Sequence, residues 1–391
     1  MRINLFDDSS WSTLRPLTFT RPVADLRLGI LTIAEKWAKY TEHIPGFLTA
    51  DYLSVKYAAL ADADTFVNGA VCPDEALFAA ISTLRPGEVL LKDTLVLAYK
   101  VNAAEAFSLK QTSDLRPVTY TGKFTHIIYP EDIFRNNDTE LKADFTLLTK
   151  GRSSQPLSST NTVLGDQIFL EAGAEAECAT FNTLNGPVYI GENAQVWEGS
   201  HIRGSFALCN HSQVKMGAKI YGQTTIGPYS TVGGEIKNAV IWGYSAKGHE
   251  GYLGNSVMGA WCNIGADSNN SNLKNNYGDV KLWDYGFGGY RNTGLQFAGL
   301  IMADHVKCGI NTMFNTGTVV GVGSNVFGAG YPPNFVPDFS WGGTKQTEVY
   351  RLNKMFETTE KVFERRNIEL NQMEKDILAK IFELTEIYRQ S

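Results

Sequence analysis

IGENAQVWEGSHIRGSFALCNHSQVKMGAKIYGQTTIGPYSTV, residues 190–232, is the stretch that decides the fold. Within it an aliphatic residue returns at every sixth position: Ile190, Val196, Ile202, Leu208, Val214, Ile220, Ile226 and Val232. An α-helix repeats its apolar stripe every three or four residues and a half-buried strand every second one. Eight consecutive hits at a period of six fit neither. Small residues flank the beat, as in Ile190-Gly191, Ile226-Gly227 and Gly217-Ala218-Lys219-Ile220, and let short strands turn sharply. Each period then forms one flat side of a coil, and stacked coils bury one another's apolar faces in a parallel β-helix.

The whole chain, at 391 residues, is long enough for two or more cores. Its 43% hydrophobic and 19% charged residues belong to a globular protein, not a disordered one. A net charge of −6 argues against a dedicated nucleic-acid binder, while local Lys and Arg clusters still allow small anionic ligands. Cys72, Cys178, Cys209, Cys262 and Cys308 are odd in number, scattered and without CxxC spacing. They read as reduced thiols of a cytoplasmic protein, not as a disulfide framework or zinc site. The N-terminus meets Asp7-Asp8 after one short apolar run and lacks the h-region of a signal peptide. No run reaches the ~18 apolar residues of a membrane span.

Glycine divides the chain. Only five of the 37 glycines precede residue 151 and none follows Gly343. Residues 1–160 mix strand-like runs (Ile3–Phe6, Glu88–Ala98, His126–Tyr129) with helical ones such as Ile30–Tyr40, the pattern of an α/β domain. Ser153–Asn161 reads as a linker. Residues 161–343 are the β-helix, with its ladder interrupted over Lys237–Tyr252 and by an Asn- and Gly-rich insertion over Asp267–Gly294. Loops that break a repeat are expected to project from one edge and carry function. In the tail, 344–391, Leu370, Met373, Ile377, Ile381, Leu384 and Tyr388 follow helical spacing, and Asn371 with Glu374 forms a capping-box pattern. One packed helix is expected there.

Chemistry-bearing residues gather at the ladder breaks: Glu235 and Lys237, then Lys247-Gly248-His249-Glu250-Gly251-Tyr252-Leu253-Gly254, Asn263-Ile264-Gly265-Ala266 and Asn275-Asn276-Tyr277. Two or three coils bring such residues to one edge. A histidine there suits a base that accepts a proton from an amine, with a carboxylate orienting the ring. Lysine and amide groups suit a phosphate and sugar hydroxyls. Taken alone, a histidine flanked by Gly and Glu is more often a surface or structural residue.

These motifs resemble the acetyltransferase domain of the bifunctional enzymes that make UDP-N-acetylglucosamine, in which a glucosamine-1-phosphate N-acetyltransferase is fused to a UDP-N-acetylglucosamine pyrophosphorylase. The resemblance implies a left-handed parallel β-helix, a homotrimer and an acetyl-transfer site between subunits. It implies that His249 is the general base and that Glu235 orients it. Lys237 would bind the sugar phosphate, with Lys281 as a second contact and Lys215 in place of a family arginine. Tyr252, Asn263 and Asn276 would meet the amino sugar, and Ala266 would line the acetyl-CoA path. The Asn-rich insertion and Trp283–Gly294 depart from the family's compact loop.

In the first domain, Thr13–Pro22 resembles the segment after the Gly-rich loop of sugar-1-phosphate nucleotidyltransferases. Phe6-Asp7-Asp8, Leu17–Pro22, Gly29–Thr32 and Asp132–Arg135 resemble segments of a divergent bacterial branch of the bifunctional enzymes. That family cradles nucleotide phosphates with backbone N–H groups and nearby cations. Here Asp7–Ser12 replaces the glycines, Val23 stands where a lysine is usual, and Asn68-Gly69-Ala70 replaces Asn-Gly-Asp. The resemblance leaves Arg15, Thr18, Arg21 and Arg27 for the nucleotide phosphates, and Asp7 and Asp8 for Mg²⁺.

The expected function is therefore a two-step transferase of amino-sugar nucleotide synthesis, using acetyl-CoA, UTP and Mg²⁺ on small sugar phosphates. Two readings stand beside it: a nucleotidyltransferase of other sugar or nucleotide specificity with a structural β-helix, and a non-catalytic sugar-nucleotide-binding protein.

Overall fold

A computed structural model describes residues 1–102, 112–344 and 347–389. They form two compact units: Met1–Leu14 with Thr20–Leu26 and Leu31–Tyr129, and Arg15–Phe19 with Arg27–Ile30 and Pro130–Ser391. The helix Pro130–Thr149, inside the 1–160 domain expected from sequence, groups with the second unit.

The first unit is built on a six-stranded mixed sheet: β1 (Ile3–Phe6), β2 (Gly46–Leu48), β3 (Thr65–Asn68), β4 (Glu88–Lys92), β5 (Leu95–Lys100) and β6 (Arg116–Thr119), in the order β2-β1-β3-β5-β4-β6. β1 runs parallel to β2 and β3, so Asp7, Thr49 and Asn68 come together at the carboxyl ends of three adjacent strands. The run Glu88–Ala98, expected as one strand, is a hairpin: Asp93 turns at φ 54° and β4 pairs antiparallel with β5. His126 makes only an isolated bridge to Val71, so no strand forms over His126–Tyr129. The helix expected over Ile30–Tyr40 begins later, at Ile33, and runs to Thr41. Thr32 caps it, and Glu35 returns the bond to complete a capping box.

The second unit is a parallel β-solenoid. All eight ladder residues from Ile190 to Val232 are at most 2% exposed and share one core. Each beat stacks on the same beat of the next coil, as in Ile202 on Ile220, Leu208 on Ile226 and Val214 on Val232. The first ladder break is not a projecting loop. Glu235–Ile241 forms one seven-residue strand that pairs with both Lys219–Tyr221 and Thr224–Ile226, so the corner between two sides is tightened and the coil stays in the wall. The Asn-rich segment is also wall: Asn269–Asn270 pairs with Met313–Phe314, and Asn270 is buried. The insertion also holds an antiparallel hairpin, Lys281–Asp284 with Gly289–Asn292, in which Leu282 and Asp284 are buried. It is tied down where Arg291 bridges Glu131 at 2.6 Å and Asp284 at 3.2 Å.

The helix Pro130–Thr149 packs on the same coils. Its Asn137 donates to the Gln223 carbonyl and accepts from the Gly29 N–H, while Asp144 accepts from the Ile30 N–H. Gly29 sits at φ 76°, where a Cβ would lie 2.5 Å from the Asp144 carboxylate, so only glycine fits.

The tail holds two main helices, Leu352–Glu364 and Gln372–Leu384, where one was expected. Asn371 caps the second by accepting from the Glu374 N–H, as its sequence pattern indicates. Ile377 and Ile381 are buried, but Leu384 is 41% exposed because the helix ends there. No helix among the described residues is long and apolar enough to cross a membrane.

Candidate functional sites

In the first unit, the carboxyl ends of β1, β2 and β3 open on a cavity of about 750 Å³ lined by Asp7, Asp8, Thr49, Asn68, Trp11 and Tyr99, among others. Sheet ends of this kind are where α/β folds place ligands. Asp7 accepts from the Val23 N–H at 2.8 Å and the Thr49 hydroxyl at 2.6 Å. Asp8 accepts from the Ser10 N–H at 2.8 Å and from Asn68 Nδ2 at 2.8 Å. Asn68 in turn accepts from the Ala70 N–H at 2.9 Å, so this segment is held by Asn68 without the acidic side chain the sequence comparison expected at 70.

Burial pushes the Asp7 carboxyl up to about 6 from 3.8, against the lowering effect of the Thr49 and Val23 hydrogen bonds. Between those two values the folded state holds a proton the unfolded chain has lost, so stability falls as pH rises through that window and stays lower at pH 7. Asp7→Asn keeps the size and the acceptor for Val23. It is expected to melt above the wild type at pH 7, with the gain vanishing near pH 4; equal destabilisation at both pH values would contradict this account.

No Lys or Arg lines this cavity among the described residues. Of the four phosphate-binding residues expected from sequence, Arg21 bridges Asp25 at 3.2 Å in this unit. The other three belong to the second unit: Thr18 is fully buried, Arg27 is buried and donates to the Ile30 carbonyl, and Arg15 lies over the Phe19 ring at 5.3 Å. Each of the three arginines thus has a contact within its own unit.

The solenoid carries the second site. Alternation sends Ile220, Ile236 and Leu253 inward, so Lys219, Glu235 and Tyr252 stack in register on three successive coils, with Tyr221, Lys237 and Gly254 alongside. Glu235 is half-buried and Lys237 exposed. Burial raises the Tyr252 phenol, and the Glu235 charge raises it further. The Tyr252 hydroxyl accepts from Asn272 Nδ2 at 3.0 Å.

His249 is exposed on the bend that follows Ala246–Lys247, and it lines a cavity of about 710 Å³ together with Asn263, Gly265 and Ala266. Four cations border the same cavity: Lys215, Lys307, Arg365 and Arg366. Lys215 lies 3.8 Å from the Trp197 ring centroid, and Arg366 donates to the Tyr229 carbonyl at 3.2 Å. Burial lowers the Lys307 ammonium.

The fold thus groups His249, Asn263 and Ala266 at one cavity and Glu235, Lys237 and Tyr252 on a neighbouring strand face. No hydrogen bond or ion pair joins Glu235 to His249 among the described residues; the carboxylate that meets a cation here is Glu250, 3.5 Å from Lys219. Asn276 and Lys281 do not line the cavity: Asn276 is exposed in a turn and Lys281 on the hairpin.

Sequence reasoning missed Lys307, Arg365, Arg366 and the aromatic wall. His211, Tyr229, Tyr244 and Trp261 take left-handed φ of 57–62° at equivalent corners and stack at 4.8, 4.8 and 4.1 Å, with Phe363 closing the column at 4.2 Å from Trp261. Their recurrence one coil apart was the available signal.

Residues 3–153 match the family model described as sugar nucleotidyl transferase. Among curated proteins nothing matches. Among solved structures, the UDP-N-acetylglucosamine acyltransferase of Arabidopsis is similar at 15% identity, over 52% of this chain and 77% of that one, with a TM-score of 0.25. The chain thus joins a segment that matches the sugar nucleotidyl transferase family to a parallel β-solenoid.

Proposed function

We propose that the protein is a two-site transferase of amino-sugar nucleotide synthesis that acts as a homotrimer. The solenoid site acetylates glucosamine 1-phosphate, and the first unit joins the product to a uridylyl group from UTP, releasing pyrophosphate. The observation that carries this reading is the cavity shared by one histidine, an exposed amide and four cations. Such a lining suits a polyanionic carrier such as CoA, held by Lys and Arg with its thioester near a base.

In the first step the sugar amine attacks the acetyl carbonyl carbon, the C–N bond forms, and His249 takes the ammonium proton. The C–S bond then breaks, and the leaving sulfur takes the proton held by His249, so that CoA departs as the thiol and the base is restored. Asn263 and Ala266 line the same cavity, and a donor there would meet the carbonyl oxygen as it gains charge. Glu235 and Lys237, on the neighbouring strand face, are assigned to the acceptor sugar and its phosphate.

In the first unit, the adjacent carboxylates Asp7 and Asp8 fit Mg²⁺, which is usually held by one or two carboxylates plus substrate phosphates and water. When bound, Mg²⁺ would supply positive charge for a triphosphate, which no Lys or Arg among the described lining residues supplies. Trp11 and Tyr99 offer flat faces for a base.

The test is to supply each half-reaction separately. Thiol release is expected from acetyl-CoA only when glucosamine 1-phosphate is present. Pyrophosphate release is expected from UTP and N-acetylglucosamine 1-phosphate only with Mg²⁺, and chelation abolishes it. Pyrophosphate release without thiol release favours a second reading, a nucleotidyltransferase with a structural solenoid; the missing Glu235–His249 contact favours it too.

A further inference from the structure

On one side of the solenoid the inward beat runs Val214, Val232, Lys247, Ile264 and Cys308, with a lysine where each neighbour is apolar. Lys247 is 1% exposed, so its ammonium lies inside the coil. Its aliphatic stem fills the beat that a valine fills below it. The coil is shortened here, and the bend at His249-Glu250 has no strand partner for its carbonyls.

Lys247 Nζ donates to the His249 carbonyl and, at 3.3 Å, to that of Glu250. The Glu250 carbonyl also receives the Asp267 N–H at 3.1 Å. The His249 carbonyl has no other donor among the described residues. The bond is partly buried; a carbonyl fully removed from water and left without a donor costs about 1–3 kcal/mol, so the loss here is at most of that order. Burial holds the lysine down to about 8, with Glu250, Asp267 and Cys308 favouring the ammonium and Lys219 opposing it.

We propose that Lys247 is a positioning residue for His249: from inside the coil it holds the backbone carbonyl of residue 249 and so sets where the imidazole meets the cavity. This rests on the acyl-transfer reading of that cavity. Lys247 touches no reacting atom, and its effect passes through the backbone of its neighbour.

The experiment compares the full-length protein with Lys247→Met, which fills the beat without a donor, and Lys247→Gln, which keeps an N–H donor. Two readouts are taken: kcat and KM for thiol release, and amide hydrogen exchange over residues 248–252. Lys247→Met is expected to lower kcat by ~10–100-fold with the acetyl-CoA KM within about twofold, the signature of a misplaced base. Exchange over 248–252 is expected to rise at least ~10-fold while the rest of the solenoid is unchanged. Lys247→Gln recovers part of both, and pyrophosphate release stays at the wild-type level. Unchanged exchange in Lys247→Met overturns the proposal, and so does unchanged kcat. A wild-type protein that releases no thiol overturns the acyl-transfer reading instead; exchange confined to the bend then still upholds the backbone anchor, and its absence refutes it.

Discussion

His249→Ala is expected to cut thiol release by ~10²–10⁴-fold, the usual contribution of a positioned general base. The loss should fall on kcat, because the four cations that border the cavity remain to hold the polyanionic carrier. Folding should be untouched: the side chain is exposed, and the ladder beneath it is intact. Pyrophosphate release is also expected to persist, because Asp7, Asp8 and Asn68 belong to a separate compact unit. Steady-state kinetics of both half-reactions on one preparation check this. A variant that keeps the wild-type thiol-release rate removes His249 as the base.

Ile220→Asp is expected to be the most damaging single change to the fold. Ile220 is 1% exposed and lies between Ile202 and Ile236 in a continuous apolar column. Its paired neighbours, Ile202 and Ile236, offer no cation to a new carboxylate. An uncompensated buried charge costs about 3–5 kcal/mol, against a total stability of about 5–15 kcal/mol for an ordinary domain. Denaturant unfolding should show the midpoint falling steeply or the solenoid failing to form. Ile220→Leu, which conserves volume, should cost less than about 1.5 kcal/mol. A wild-type midpoint for Ile220→Asp would mean that the beat does not face a packed interior.

The period-six ladder was readable because each beat is a buried aliphatic that the next coil must cover, so the pattern is written directly into residues 190–232. The coil from Gly233 onward was not readable in this way. There one corner is tightened, Val232 comes to face Lys247, and a lysine occupies an apolar beat. Only the pairing register shows that this segment continues the wall. The Asn-rich segment misled for a related reason: Asn270 is buried because its side chain donates to the Gly254 carbonyl and accepts from the Gly254 N–H, a role polarity alone does not reveal.

The helix Leu352–Glu364 escaped notice because Arg351 at its start makes no side-chain cap, whereas Asn371 announces the next helix. At the sites, His249, Asn263 and Ala266 were legible as a cluster because coil geometry converts their spacing into proximity. The partners of Arg21 and Arg27, Asp25 and the Ile30 carbonyl, were not legible, since they are set by local chain turns. Arg365 and Arg366 come to the cavity from a tail distant in sequence, which no local motif encodes.

The most direct test is a single incubation of the full-length protein with acetyl-labelled acetyl-CoA, glucosamine 1-phosphate, UTP and Mg²⁺, with products identified by mass spectrometry. Free CoA, pyrophosphate and a uridine diphosphate sugar carrying the labelled acetyl group are predicted for the wild type, and no label in the sugar nucleotide for His249→Ala. A folded wild-type protein that leaves acetyl-CoA intact in the presence of the amino sugar would contradict the account.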